Sequence, residues 1–195
     1  MQKLFVLLAL FTVFRFKPFV DNKVSEDRIG EALVFCKKNN MDTSIAMMVD
    51  MSIHSGKNRF FVYDFKQKKI IIEGLCAHGV GGGSTPTKPV FSNKEGSYCT
   101  SLGKYNVKGR AYSNWGIHVH YKMYGLEKTN SNAFKRIVVL HSYSPVPNQE
   151  IYPQTLFGQS AGCPVLSDAT MKKVDTLLKN REKPVLLWIY NSYSI

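Results

Sequence analysis

The sequence predicts a mainly β domain carrying about two helices. Apolar residues alternate with period two over several short runs, turn residues separate those runs, and only two segments carry a helical period. The chain has 195 residues, 44% hydrophobic and 21% charged, which is enough to bury a single core and argues against global disorder. With 14 Gly, 8 Pro and no repeat of about 20–50 residues, collagen-like, solenoid and low-complexity classes lose support.

The elements follow in order. Lys3 precedes an apolar run from Leu4 to Phe14, broken only by Thr12 and closed by Arg15. A spanning helix needs about 20 apolar residues and a signal-peptide apolar region about 7–15, so residues 1–16 read as a signal peptide. No small-x-small cleavage site follows, which leaves a short uncleaved N-terminal anchor as the other expectation; Cys36 lies too far along for lipid acylation. Residues 17–42 read as linker and helix. Ser25-Glu26-Asp27 opens the helix, Ile29, Ala32, Leu33 and Cys36 form its apolar face, and Asn39-Asn40 end it.

Beyond that point the period changes. Ile45, Met47, Val49, Met51 and Ile53 alternate with smaller or polar neighbours, as in a half-buried strand. Turns at 54–58 and 66–69 then separate strands expected at 59–65 and 70–77. A Gly-rich loop at 78–89 precedes strands expected at 97–107, 117–124 and 137–140, with Thr129 to Asn132 capping a helical turn before the last. Residues 142–159 carry Pro145, Pro147 and Pro153 and form a candidate lid. Ser167 or Asp168 caps a helix with Met171, Val174, Leu177 and Leu178 on one face, and Val185 to Tyr190 is the final strand.

Charge narrows the partner. There are 26 Lys+Arg against 14 Asp+Glu, a formal +12, in scattered pairs such as Lys37-Lys38 and Lys172-Lys173. A basic surface that only aids solubility is one reading and an anionic partner is the other; export turns the second away from nucleic acid and toward the cell envelope.

The segment Gln159-Ser160-Ala161-Gly162-Cys163-Pro164 sets a thiol beside glycine among small residues, where a substrate can reach it and backbone N–H groups can face an oxyanion. A buried structural cysteine is the alternative. Among the histidines, His141 is the candidate base because it ends a short apolar strand. His118 and His120 alternate on one strand without an obvious third ligand, and no HExxH or CxxC is present, so a metal site is not expected. The glycines of 78–83 lack the Gly-Lys-Ser/Thr ending of a phosphate loop; they permit either close approach to a substrate or a flexible turn. Cys36, Cys76, Cys99 and Cys163 allow two disulfides, which would consume the proposed nucleophile.

His141-Ser142 followed by Ser160-Ala161-Gly162-Cys163, together with Arg59 to Phe65, Ala77-His78-Gly79, Gly96 to Gly103 and Asn130 to Arg136, resembles a divergent branch of the YkuD-like L,D-transpeptidase catalytic domain family over roughly 44–166. The resemblance implies an L,D-transpeptidase-like β-sandwich with about two peripheral helices, its catalytic domain spanning 43–195. It implies Cys163 as nucleophile and His141 as base, oriented through the Ser142 carbonyl, with the N–H groups of Gly162 and Cys163 holding the oxyanion. Ser160 is expected to support the turn or contact substrate; His78, Lys104 and Arg136 are the other candidates for substrate contact.

By the same resemblance the partners are peptidoglycan stem peptides, without nucleic acid. No metal or organic cofactor is needed, the chain is expected to be a monomer, and its place is the periplasm or cell envelope. An amine acceptor gives transpeptidation and water gives carboxypeptidation. Ala161 stands where the main family has histidine, and Pro164-Val165 departs from its usual sequel. A non-catalytic envelope-binding module on the same fold, or a cysteine hydrolase of another amide, are the competing readings.

Overall fold

The computed structural model describes residues 23–193. The expected leader over 1–16, and the connector up to residue 22, lie outside the described residues. Among the described residues no helix is long and apolar enough to cross a membrane.

Helix α1 (Glu26–Lys38) starts where Ser25 caps it, the Ser25 hydroxyl accepting from the Arg28 amide at 3.4 Å. Glu26 and Asp27 in the first turn and Lys37 and Lys38 in the last complement the helix dipole. Asn39 ends it, its side-chain amide bonding back to the Phe35 carbonyl at 2.8 Å. Helix α2 (Asp168–Leu178) is capped by Ser167 and buries Met171, Val174 and Leu178.

Nine strands occur among the described residues: β1 (Ile45–Asp50), β2 (Phe60–Asp64), β3 (Lys69–Gly74), β4 (Cys76–Ala77), β5 (Gly103–Tyr112), β6 (Val119–Gly125), β7 (Val139–Ser142), β8 (Val165–Leu166) and β9 (Val185–Tyr190). They form one sheet in the order β3-β2-β1-β9-β5-β6-β7-β8-β4. The β1–β9 and β7–β8 pairs are parallel and the others antiparallel. The two edge strands, β3 and β4, are consecutive in the chain and separated only by Leu75, so the sheet curls until its edges nearly meet. Every strand and α2 contribute to one core, from Met47 and Val49 through Tyr105 and Met123 to Leu140 and Leu187.

Strand β1 is buried along its whole length rather than half-buried. Its period-two pattern alternates between two apolar environments. Met47 and Val49 face the central core, while Ala46 and Met48 face a second cluster in which Ala32 and Cys36 of α1 pack on Phe61, Leu186 and Trp188. The strand expected at 97–107 begins only at Gly103, whose φ of 127° and close approach to Asn130 and Glu127 suit glycine. A bulge around Gly109 (φ 70°) then carries β5 on to Tyr112. The expected helical turn at 129–132 is a run of hydrogen-bonded turns from Glu127 to Ile137.

The 142–159 segment is clamped rather than lid-like. Val146 and Leu156 are buried against Leu75, Ala77 and Val165. The amides of Ile151 and Tyr152 donate to the Gly56 carbonyl, and that of Leu156 to the Ser55 hydroxyl. A side chain at Gly56 would place its Cβ 2.0 Å from the Gln154 carbonyl oxygen.

Candidate active site

Cys163 lies just ahead of β8, whose Val165 sits opposite His141 of β7 in a parallel register. Gly162, at φ 117°, makes the turn before it. Ser160 holds that turn closed: its hydroxyl donates to the Cys163 carbonyl at 2.6 Å and accepts from the Gly162 amide at 3.0 Å. The Gly162 N–H expected to face an oxyanion is therefore already engaged, which corrects that expectation. The Cys163 N–H carries no hydrogen bond among the described residues and is the donor left for that role. Ser160 thus braces the turn while also lining the cleft.

The four cysteines are free thiols, which removes the two-disulfide alternative. Cys36, Cys76 and Cys99 are buried, and Cys163 alone is partly exposed. Its sulfur accepts from the Val139 amide at 3.5 Å. Burial raises its pKa above the ordinary 9.0, while the Val139 N–H and the nearby Arg136 guanidinium pull it down without reversing that direction.

His141 lies within β7. Its Nδ1 lies 2.9 Å from the Ser142 carbonyl oxygen, so Nδ1 carries the proton and donates, leaving Nε2 with its lone pair. Burial lowers its pKa below 6.5, partly offset by that hydrogen bond and reinforced by His120, which pairs with it across β6 and β7. Burial thus favours the neutral form of each group, the thiol at Cys163 and the imidazole at His141.

Both residues line one cleft of ≈ 390 Å³ with Val80, Trp115, Tyr143, Gly158, Gln159, Ser160 and Ala161. A larger recess of ≈ 630 Å³ between α1 and the β2–β3 hairpin has neither cysteine nor histidine in its lining. The aromatic wall, Trp115 edge-on to Tyr143 with centroids 5.4 Å apart, is the part sequence reasoning missed. Its only local signal is the turn composition of Ser113-Asn114-Trp115-Gly116.

The remaining candidates sit elsewhere. Lys104 is 8% exposed and tied to Glu31 of α1 at 2.9 Å and to Glu127 at 3.2 Å, with its ammonium 4.0 Å from the Trp188 ring centre; it braces the helix instead of touching the cleft. His78 is 1% exposed, with Nδ1 2.8 Å from the Arg59 guanidinium and Nε2 3.0 Å from the Thr85 carbonyl, so neither ring nitrogen is left for substrate. Arg136 reaches behind the cysteine turn to the Cys99 carbonyl at 2.6 Å and the Ser92 carbonyl at 3.0 Å, and acts on Cys163 through its charge. The Gly-rich loop does make a close approach, but to the chain itself: side chains at Gly79 and Gly81 would meet the Tyr98 and Ser97 carbonyl oxygens at 2.2 Å and 1.7 Å.

These environments predict the order of thiol alkylation. Iodoacetamide should modify Cys163 before the other three cysteines, with a rate that keeps rising beyond pH 9, as peptide mass spectrometry against pH would record. A plateau below pH 8, or first modification at Cys99, would contradict the arrangement.

A family model described as the L,D-transpeptidase catalytic domain matches residues 20–190. No curated protein matches the chain. Among solved structures, the helical cell shape determining protein Pgp2 from Campylobacter jejuni is similar at 14% identity, with a TM-score of 0.50 over 76% of this chain and 48% of that one. The chain thus spans about half of that protein's length. An L,D-transpeptidase from Xylanimonas cellulosilytica aligns at 14% identity and a TM-score of 0.42, over 75% of this chain and 60% of that one. L,D-transpeptidase 3 from Mycobacterium tuberculosis, in complex with a faropenem-derived adduct, aligns at 15% identity and a TM-score of 0.39, over 76% and 60%.

Proposed function

The chain belongs to the L,D-transpeptidase catalytic domain family, and from that premise we propose that it is an exported cysteine acyltransferase acting on peptidoglycan stem peptides in the periplasm or cell envelope. The observation that carries this reading is one reachable thiol in the same cleft as a neutral imidazole whose tautomer the Ser142 carbonyl fixes.

In the proposed reaction the Cys163 sulfur attacks the donor carbonyl at an L-configured centre as its proton passes to His141 Nε2. The Cys163 N–H receives the developing oxyanion, and the Val139 N–H stabilises negative charge on sulfur. The C–N bond breaks, the imidazolium returns its proton to the departing D-amino acid, and a thioester remains on Cys163. An amine from a neighbouring stem then attacks that thioester as His141 takes its proton; the C–S bond breaks, the proton returns to the Cys163 sulfur, and the cross-linked product leaves. Water in the same position gives the carboxypeptidase product. Substrate carboxylates would be drawn to a surface of net charge +12, an attraction that salt weakens.

Purified protein incubated with tetrapeptide muropeptides should yield cross-linked or trimmed products and a thioacyl adduct at Cys163 by mass spectrometry, and Cys163→Ala should yield neither. Identical product profiles for the two proteins would remove the acyltransferase reading. Binding to sacculi without turnover by the wild type would favour the envelope-binding module instead.

A further inference from the structure

Around the β5–β6 turn, aromatic rings stand out into solvent where the core has no use for them. Tyr112 is 70% exposed and Trp115 is 55% exposed. Tyr112 stacks on His118 with the ring planes 2° from parallel and centroids 5.7 Å apart. Trp115 lies edge-on to Tyr143 and belongs to the wall of the cysteine cleft.

The connection that carries them is tied at many points. The Ser113 amide donates to the His118 carbonyl and the His118 amide to the Trp115 carbonyl, each at 3.1 Å. The Trp115 amide donates to the Ser113 hydroxyl at 3.1 Å, and the Ile117 amide to the Ser142 hydroxyl at 3.0 Å. His118 adopts φ 59°, a strained conformation for a residue other than glycine. Gly116, at φ 58°, comes so close to β7 that a Cβ there would lie 2.0 Å from the Ser142 hydroxyl oxygen. The backbone that carries Trp115 in the cleft wall, and His118 with Tyr112 stacked on it, is thus fixed before any ligand arrives, which lowers the ordering cost of binding.

We propose that Tyr112, His118 and Trp115 form a sugar-binding platform that takes the amino-sugar glycan strand from which a donor stem peptide hangs. The inference rests on the stem-peptide reading of the cleft. A stem peptide is covalently attached to its sugar, so seating the peptide beside Cys163 brings a pyranose ring to the rim. The C–H face of a pyranose is apolar and flat enough to lie on an aromatic ring, while its hydroxyl and acetamido groups stay in water. Rigid aromatic side chains supply contact area at small entropic cost.

The test uses the full chain carrying Cys163→Ala, so that nothing turns over, and N-acetylated chitotetraose, which has no peptide. Calorimetry should show saturable binding, weakened about tenfold by Trp115→Ala and by Tyr112→Ala, and less by Trp115→Phe. Tyr193→Ala, an exposed aromatic beyond β9, should bind like the parent. Thermal melting identifies any variant that has lost its fold, and the intact members of the series then decide. No binding of the tetrasaccharide, or binding by Trp115→Ala and Tyr112→Ala as tight as that of the parent, overturns the proposal. Muropeptide turnover by the wild type without sugar binding sinks the platform alone; sugar binding without turnover sinks the acyltransferase alone.

Discussion

Replacing His141 by alanine is expected to slow thioacyl formation about a thousandfold at pH 7, within the range that general-base groups contribute. Burial holds the Cys163 thiol above its ordinary pKa of 9.0, so fewer than about one sulfur in a hundred is ionised at pH 7. Removing the imidazole leaves that population alone to react. The same argument fixes the pH dependence. Wild-type activity should persist below pH 6.5 before falling, because burial lowers the His141 pKa and the base is the neutral form. The alanine variant should instead gain steadily as pH rises toward and past 9, where thiolate forms without assistance. Single-turnover acylation measured from pH 5 to 10 checks both. A variant within tenfold of wild type at pH 7, or one with no alkaline recovery, would remove His141 from the proton transfer.

How much of this was legible in the sequence depends on the range over which each feature is determined. Local chemistry was readable: Ser25 and Ser167 cap their helices, and Val185 to Tyr190 forms the last strand. The cysteine turn and the histidine of β7 were also readable as candidates, since a thiol beside glycine and a polar residue closing an apolar run need no distant partner to be recognised. Features set by tertiary contact were not. The alternation of β1 cannot reveal that α1 covers its second face. The strand expected at 97–107 says nothing of Arg136 holding the Cys99 carbonyl, or of the Gly-rich loop lying over Tyr98. Lys104 looked available for substrate because a lysine's default is solvent, yet Glu31 and Glu127 converge on it from other parts of the chain. Gly162 looked like an oxyanion donor because nothing in the sequence says that the Ser160 hydroxyl turns back onto its amide.

The strongest structural dependence falls on Arg59, another residue whose role only the fold discloses. It is 1% exposed and forms no salt bridge among the described residues. Its guanidinium donates to the Cys76 carbonyl at 2.7 Å and to His78 Nδ1 at 2.8 Å, linking β2, β4 and the start of the Gly-rich loop. Burial lowers its pKa to about 10, so it remains a cation at neutral pH. Arg59→Met keeps most of the volume, relieves the desolvation of the charge and leaves two buried acceptors without a donor. At about 1–3 kcal/mol for each acceptor, less the relief, the net loss should be about 3 kcal/mol in a denaturant titration at pH 7.

The pH dependence separates this account from loss of packing alone. Burial first, and the Arg59 charge second, depress the His78 pKa from 6.5 to about 4. The unfolded chain therefore binds this proton more readily, and the wild type loses stability as pH falls from 6.5 toward 4. Without the guanidinium the folded-state pKa of His78 moves back up and less stability is lost over the same interval. The gap between wild type and Arg59→Met should consequently narrow toward pH 4. A gap that stays constant with pH would mean that Arg59 supports the loop by filling space, with its charge uncoupled from His78.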